Sequence, residues 1–253
     1  MNFFNERQST AFNNWENGET RAEAQKWHDF SRSIEYQYMF QSCGMPIIQD
    51  PQDICMVQEL IWKINPTLII ETGIARGGSL MLSAMSLAAL SFVDGLSSDD
   101  QHDRRVIGID IDIRADNRNL IESHPLFPLI RLIEGSSTDV EVISKVKNSI
   151  KKNDRVLVIL DSNHTEEHVL EELEKYADFV SIESAILVMD TGIEFAPESS
   201  FKNERPWSRG ANPYTATKKF LETSLGQKFI VDREIEKRHL ISCAPEGLLV
   251  RIA

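Results

Sequence analysis

The segment ETGIARGGS, residues 71–79, stands where a short β-branched run gives way to a helical pattern, and it combines small residues with one carboxylate. Gly73, Ala75, Gly77 and Gly78 let a ligand approach the backbone closely, and the unpaired N–H groups of the following helix face the same place. The segment departs from the dinucleotide pattern G-x-G-x-x-G and lacks the lysine of a phosphate-binding P-loop. Glu71 would repel a pyrophosphate but can pair with a cationic amino-acid group; a plain tight turn is the competing reading. Further along, IDIDIR ends a second β-branched run with Asp110 and Asp112, carboxylates suited to accept hydrogen bonds from both hydroxyls of a ribose. Coming after an acid-glycine loop, they favour an adenosyl ligand without a ribose phosphate. GSSTD, residues 135–139, offers a small polar loop that can border the adenine, although helix capping explains Ser137 or Thr138 equally well.

A second constellation lies in LDSNHTEEH, where Asp161 ends a strand pattern and His164 follows in a loop before a helix. A carboxylate beside an imidazole can hold a metal or an alcohol and remove the alcohol's proton. A capping loop with a surface histidine is the plainer alternative. His168, one helical turn on, reads as a helix-face residue, and the absence of HExxH argues against a zinc protease. LVMDT closes a further strand pattern with Asp190, which can share a divalent cation with Asp161 and so relieve the repulsion between two carboxylates.

These residues need strands to carry them. TLIIE (67–71), VIGID (106–110), IRLIEG (130–135), VLVILD (156–161) and AILVMD (185–190) alternate with helical patterns at 78–90, 138–150 and 165–176, with Thr138 and Thr165 as N-caps. That alternation predicts an α/β fold with a parallel sheet, and most of the strands end in an acidic residue at the edge where such sheets bind ligands. KFIVDREI and HLISCAPEGLLVRI read as two further strands joined by tight turns, an antiparallel finish to the sheet. Residues 17–64 read as two or three helices with no strand pattern, a cap or an oligomer contact. The expected division is an N-terminal helical segment, 1–64, and a ligand-binding domain, 65–253.

Composition narrows the partners. With a formal net charge of −12 and no basic run beyond Lys151-Lys152 and Lys237-Arg238, the chain is not expected to bind nucleic acid or an anionic membrane. Hydrophobic residues at 42% and charged residues at 26% suit a soluble globular protein with a sizeable core. Cys43, Cys55 and Cys243 form neither a CxxC pair nor a disulfide framework, and the first residues lack a signal-peptide pattern, so a reducing cytoplasmic setting is expected.

Over residues 61–251 the sequence resembles the cephalosporin hydroxylase family, within the S-adenosylmethionine-dependent methyltransferase superfamily. ETGIARGGS, VIGIDIDIR, HPL (124–126), GSSTD, VLVILDSNHTEEHVLEEL, RPWSRGANP (205–213) and APEGLLVR carry the resemblance together. It implies a Rossmann-like methyltransferase fold: a mostly parallel seven-stranded sheet with helices on both faces and an antiparallel C-terminal strand. Glu71, Gly73, Ala75, Gly77, Ser79, Asp110, Asp112, Ser137 and Asp161 would then contact S-adenosylmethionine. Asp161 and Asp190 would bind magnesium, and His164 would be the general base, with Asp161 beside it in the catalytic set. Arg205, Trp207 and Arg209 would form the substrate-side loop. The family usually places an acidic residue before the second aspartate where this chain has Met189, a poor magnesium ligand, so the alternatives are a weakly held metal, one coordinated differently by Glu194 or water, or none. The implied activity is O-methyl transfer to a sugar or another hydroxylated small molecule. An oxygenase, as the family label suggests, would need an iron triad for which His164, His168 and Asp161 are a weak match; a non-catalytic S-adenosylmethionine-binding subunit is the third reading. Self-association is expected through the N-terminal helices, near Leu60, Ile61 and Trp62.

Overall fold

Residues 3–95, 104–197 and 205–253 are described by the computed structural model of the chain. Two helices come first, α1 (Phe3–Glu16) and α2 (Gly18–Ser33). The Asn17 side chain between them accepts the Thr20 N–H and caps α2. A short antiparallel hairpin follows, β1 (Phe40–Ser42) and β2 (Met45–Ile47), and then α3 (Pro51–Ile64), with proline at its start and Asn65 left-handed at its end. The expectation of helices without a strand in 17–64 therefore fails at 40–47. Strands of three residues are too short to show a period of two, and this turn is set by the positive φ angles of Cys43 and Gly44.

The β-branched runs become β3 (Leu68–Thr72), β4 (Arg105–Asp110), β5 (Ile130–Glu134), β6 (Val156–Leu160) and β7 (Ala185–Val188). With β8 (Phe229–Val231) and β9 (Leu248–Arg251) they form one sheet in the order β5-β4-β3-β6-β7-β9-β8, in which β9 alone runs antiparallel to its neighbours. Strand order reverses between β3 and β6, so a crevice opens beyond their carboxyl ends. The C-terminal reading needs one correction. Residues 234–239 form a helix, and HLISC is no strand, because Ser242 Oγ and Cys243 N are drawn to the fully buried carboxylate of Asp53 on α3, at 2.6 and 3.0 Å.

The remaining helices are α4 (Gly78–Val93), α5 (Ala115–Glu122), α6 (Val140–Lys147), α7 (Glu166–Tyr176), α8 (Pro213–Glu222) and α9 (Glu234–His239). Alternate strand residues feed two apolar layers. Ile69, Val106, Leu157 and Leu187 pack with α3 and α4, whereas Leu68, Ile70, Ile107, Val158 and Ile186 pack with α6, α7 and α8. Helix α4 is apolar on nearly all sides because it is covered twice, by the sheet and by α3 with the hairpin. At α6 the N-cap is Asp139 instead of Thr138, and at α7 Thr165 holds the N-cap position while Asn163 Oδ1 accepts its N–H at 2.9 Å.

Candidate active site

Two cavities meet at the reversal point. One, of about 310 Å³, is lined by Gly73, Ala75, Ser79, Asp161, His164 and Asp190 together with residues of the N-terminal segment. The other, of about 240 Å³, is lined by Asp110, Ser136, Ser137, His168 and Trp207. Gly73 and Ser162 border both.

Local geometry makes the glycine loop what it is. Gly73 has φ of +81°, and a Cβ there would lie 2.0 Å from the carbonyl oxygen of Asp161, so only glycine lets the ends of β3 and β6 come together. At Gly78 an added Cβ would lie 2.3 Å from the Pro46 oxygen, which shows how closely the hairpin presses on the start of α4. Asp110 holds the loop from the other side: its Oδ2 accepts the N–H groups of Ile74 and Ala75 at 3.0 and 3.3 Å, and its Oδ1 that of Asp112 at 3.2 Å. Asp112 itself is exposed and borders neither cavity. Gly77, left-handed at the N-cap of α4, packs on Ile121 and borders neither cavity.

Glu71 lies beneath the crevice. It is 1% exposed, borders only an inner cavity of about 20 Å³, and accepts hydrogen bonds from Ser79 Oγ and from Ser83 Oγ at 3.4 Å. Burial pushes its carboxyl up to about 7.

Asp161, His164 and Asp190 each offer one donor atom, and these atoms lie within 4.8 Å of one another. His164 Nε2 is 3.3 Å from Asp190 Oδ2. Asp161 Oδ2 accepts a hydrogen bond of 3.0 Å from Gln49 Nε2. Burial first, then the neighbouring charges of Asp190 and Glu71, raise the Asp161 carboxyl well above the ordinary range. Two mutually repelling carboxylates with an imidazole alongside are a donor set that a hard divalent cation satisfies. Met189 is buried in the apolar layer and faces only the small inner cavity, so its thioether takes no place among these donors. Nor does Glu194, whose Oε2 accepts the Gly210 N–H at 2.8 Å and the Asn212 amide at 2.6 Å, holding the 208–212 turn instead.

Of the residues expected on the substrate side, Arg205 borders the larger cavity and Trp207 the smaller. Trp207 meets the His164 ring edge-on with centroids 4.9 Å apart, and Arg205 lies over the indole at 5.3 Å. Arg209 borders neither cavity and donates to the Ala196 carbonyl at 2.8 Å.

Several residues at the crevice had no signal in the sequence. Arg32, Tyr38, Gln49 and Asp50, all from the N-terminal segment, border the larger cavity. Arg32 Nη2 lies 3.5 Å from Asp190 Oδ1 and its Nε 3.9 Å from Asp50 Oδ2. Burial acts to raise the Asp50 carboxyl, but the hydrogen bond from His28 and the Arg32 charge outweigh it and hold it low. His168 forms part of the smaller cavity's wall: its Nε2 contacts Ser137 Oγ at 3.0 Å and Ser162 Oγ at 3.1 Å, and the bond to buried Glu172 leads in raising its pKa. It is thus absent from the Asp161–His164–Asp190 cluster, which does not make a two-histidine triad.

Comparison with known proteins agrees with this architecture. Rhamnosyl O-methyltransferase of Mycobacterium tuberculosis is 28% identical over 212 residues, spanning 82% of this chain and 76% of that protein, and the one from Mycobacterium leprae is 25% identical over 211 residues, spanning 82% and 81%. Apo CmcI superposes with a TM-score of 0.53 at 19% identity, covering 85% of this chain and 77% of CmcI; CmcI with magnesium and S-adenosylmethionine gives 0.52 at 18%, covering 85% and 78%. At such identities these two share the fold. The family model for rhamnosyl O-methyltransferase/CmcI matches residues 34–252, almost the whole chain including α3 and the hairpin, and the protein belongs to that family.

Proposed function

We propose that the protein is an S-adenosylmethionine-dependent O-methyltransferase whose acceptor is a hydroxyl of a sugar or similar small molecule, with magnesium at Asp161 and Asp190 and His164 as general base. The observation that carries this reading is the Asp161–His164–Asp190 cluster, set within 4.8 Å at the strand ends and beside the glycine loop. The named activities of the mycobacterial relatives and the magnesium and S-adenosylmethionine bound by CmcI support it.

The two cavities suit the two ends of the donor. The smaller, with Asp110, Ser137 and His168, fits an adenosine; the larger, with the start of α4, fits the amino-acid end, and Gly73 leaves room where they join. Magnesium, when bound, would neutralise the paired carboxylates and lower the pKa of the acceptor hydroxyl. His164 Nε2 takes the hydroxyl proton, and Asp190, 3.3 Å away, stabilises the imidazolium. Trp207 fixes the ring's orientation from its edge. Holding acceptor and methyl donor in line contributes several kcal/mol by itself, on the order of 7 for well-oriented pairs. Screening sugars and hydroxylated metabolites for uptake of labelled methyl, with and without chelator, tests the reading. Label transfer that His164→Ala lowers is expected. Full activity of that variant across neutral pH would remove the base, and full activity in excess chelator would remove the metal.

A further inference from the structure

The charges around the larger cavity suggest what the acceptor carries. Three guanidinium groups border it, Arg32 from α2, Arg76 from the glycine loop and Arg205 from the segment before α8, against three carboxylates, Asp50, Asp161 and Asp190. That is a dense cationic set for a chain of net charge −12. Arg32 is shared between Asp190 and Asp50, and among the described residues Arg76 and Arg205 have no carboxylate partner. Arg205 is held by the Trp207 face, and that indole abuts His164, so this guanidinium stands two ring contacts from the base.

On the protein's side, three positive charges balance three negative ones. A divalent cation on Asp161 and Asp190 adds two more positive charges. The methyl donor adds one, since its ammonium and sulfonium outweigh its carboxylate. Asp53 and Glu71 lie beneath the floor, away from the larger cavity, and burial raises both carboxyls. The loaded crevice is therefore cationic, with Arg76 and Arg205 exposed and Arg32 partly buried, and an anionic group on the acceptor would relieve that charge.

We propose that the acceptor is an anionic sugar, a glycosyl phosphate or a sugar carboxylate, whose oxyanion is clamped by Arg32 and Arg205 while its hydroxyl faces His164. Planar guanidinium forks suit both oxyanions. The inference rests on the methyltransferase reading above.

Calorimetry on the full chain loaded with magnesium and S-adenosylhomocysteine tests it, using glucose 1-phosphate, glucuronate and methyl glucoside as probes. At least one of the two anions is expected to bind about tenfold or more tightly than methyl glucoside, the size of one charge-assisted hydrogen bond. Which of them does so separates phosphate from carboxylate. Arg205→Met and Arg32→Met should bring the anion down to the neutral probe while the far-ultraviolet circular dichroism stays as in the wild type, which shows that the variants are folded. Equal affinity for all three probes, or anion binding unchanged in both variants, overturns the proposal. Failure of S-adenosylhomocysteine to bind the wild type would instead remove the methyltransferase reading, and this inference with it.

Discussion

Replacing Glu71 by glutamine gives a change in stability whose size and pH range follow from the position of this residue. The carboxyl is fully enclosed at the end of β3, with only Ser79 and Ser83 as partners, and burial raises its pKa from an ordinary 4.5 to about 7. Between these two values the unfolded chain gives up the proton while the folded chain keeps it, so stability falls as pH rises through this window. The contribution is fully present below about pH 4.5 and is lost once the pH passes about 7. A displacement of that size corresponds to about 3 kcal/mol. Glu71→Gln keeps the shape and cannot ionise. Subtracting its urea-unfolding free energy from that of the wild type, at intervals from pH 4.5 to 8, should give a difference that moves against the wild type by about 3 kcal/mol across the range. A flat difference would show that Glu71 is ionised throughout or reached by water, and the enclosure argument would fail.

Other expectations follow from single contacts. Gly73→Ala sets a methyl group against the Asp161 carbonyl at a φ of +81° and should cost about 3 kcal/mol in thermal unfolding, with loss of S-adenosylhomocysteine binding; a stable, binding variant would contradict the close approach of β3 and β6. His164→Ala should lower kcat by about a hundredfold or more while calorimetric cofactor affinity is retained, and an unchanged kcat would remove the base. Asp190→Asn should weaken magnesium binding about tenfold, read by calorimetry on the cofactor-loaded protein; equal affinity would place the cation elsewhere. Asn212→Ala removes a fully buried cap that closes a capping box and holds Glu194, and should cost about 2 kcal/mol in a denaturant melt.

The strands that carry the chemistry were legible because each is a run of β-branched residues long enough to stand out and ends in an acid or a glycine. Knowing that such sheets bind ligands beyond their carboxyl ends was enough to bring Gly73, Asp161, His164 and Asp190 to one crevice across widely separated segments. The hairpin at 40–47 was not legible, since three-residue strands have no period and one of them contains Pro46. Its loss hid the residues that close the crevice. Nothing local in Arg32 or Gln49 says that the first will reach Asp190 or the second Asp161; those contacts exist because Gly78 lets the hairpin sit on the start of α4. His168 read as a helix-face residue because its partner, Glu172, follows at ordinary helical spacing, and only the packing of α7 beside β6 turns that face to a cavity. Asp112 and Gly77 matched the motif without reaching either cavity, as neighbours of the residues that do.

The central claim, that the crevice at the end of β3 holds S-adenosylmethionine, is tested most directly by calorimetric titration of the wild type with S-adenosylhomocysteine, beside a variant carrying Asp110→Ala. Removing that carboxylate frees the N–H groups of Ile74, Ala75 and Asp112 and so releases the loop. Saturable one-to-one binding to the wild type, lost in the variant, is expected. No binding to the wild type, undiminished binding to the variant, or tight binding of NAD in its place would contradict the account.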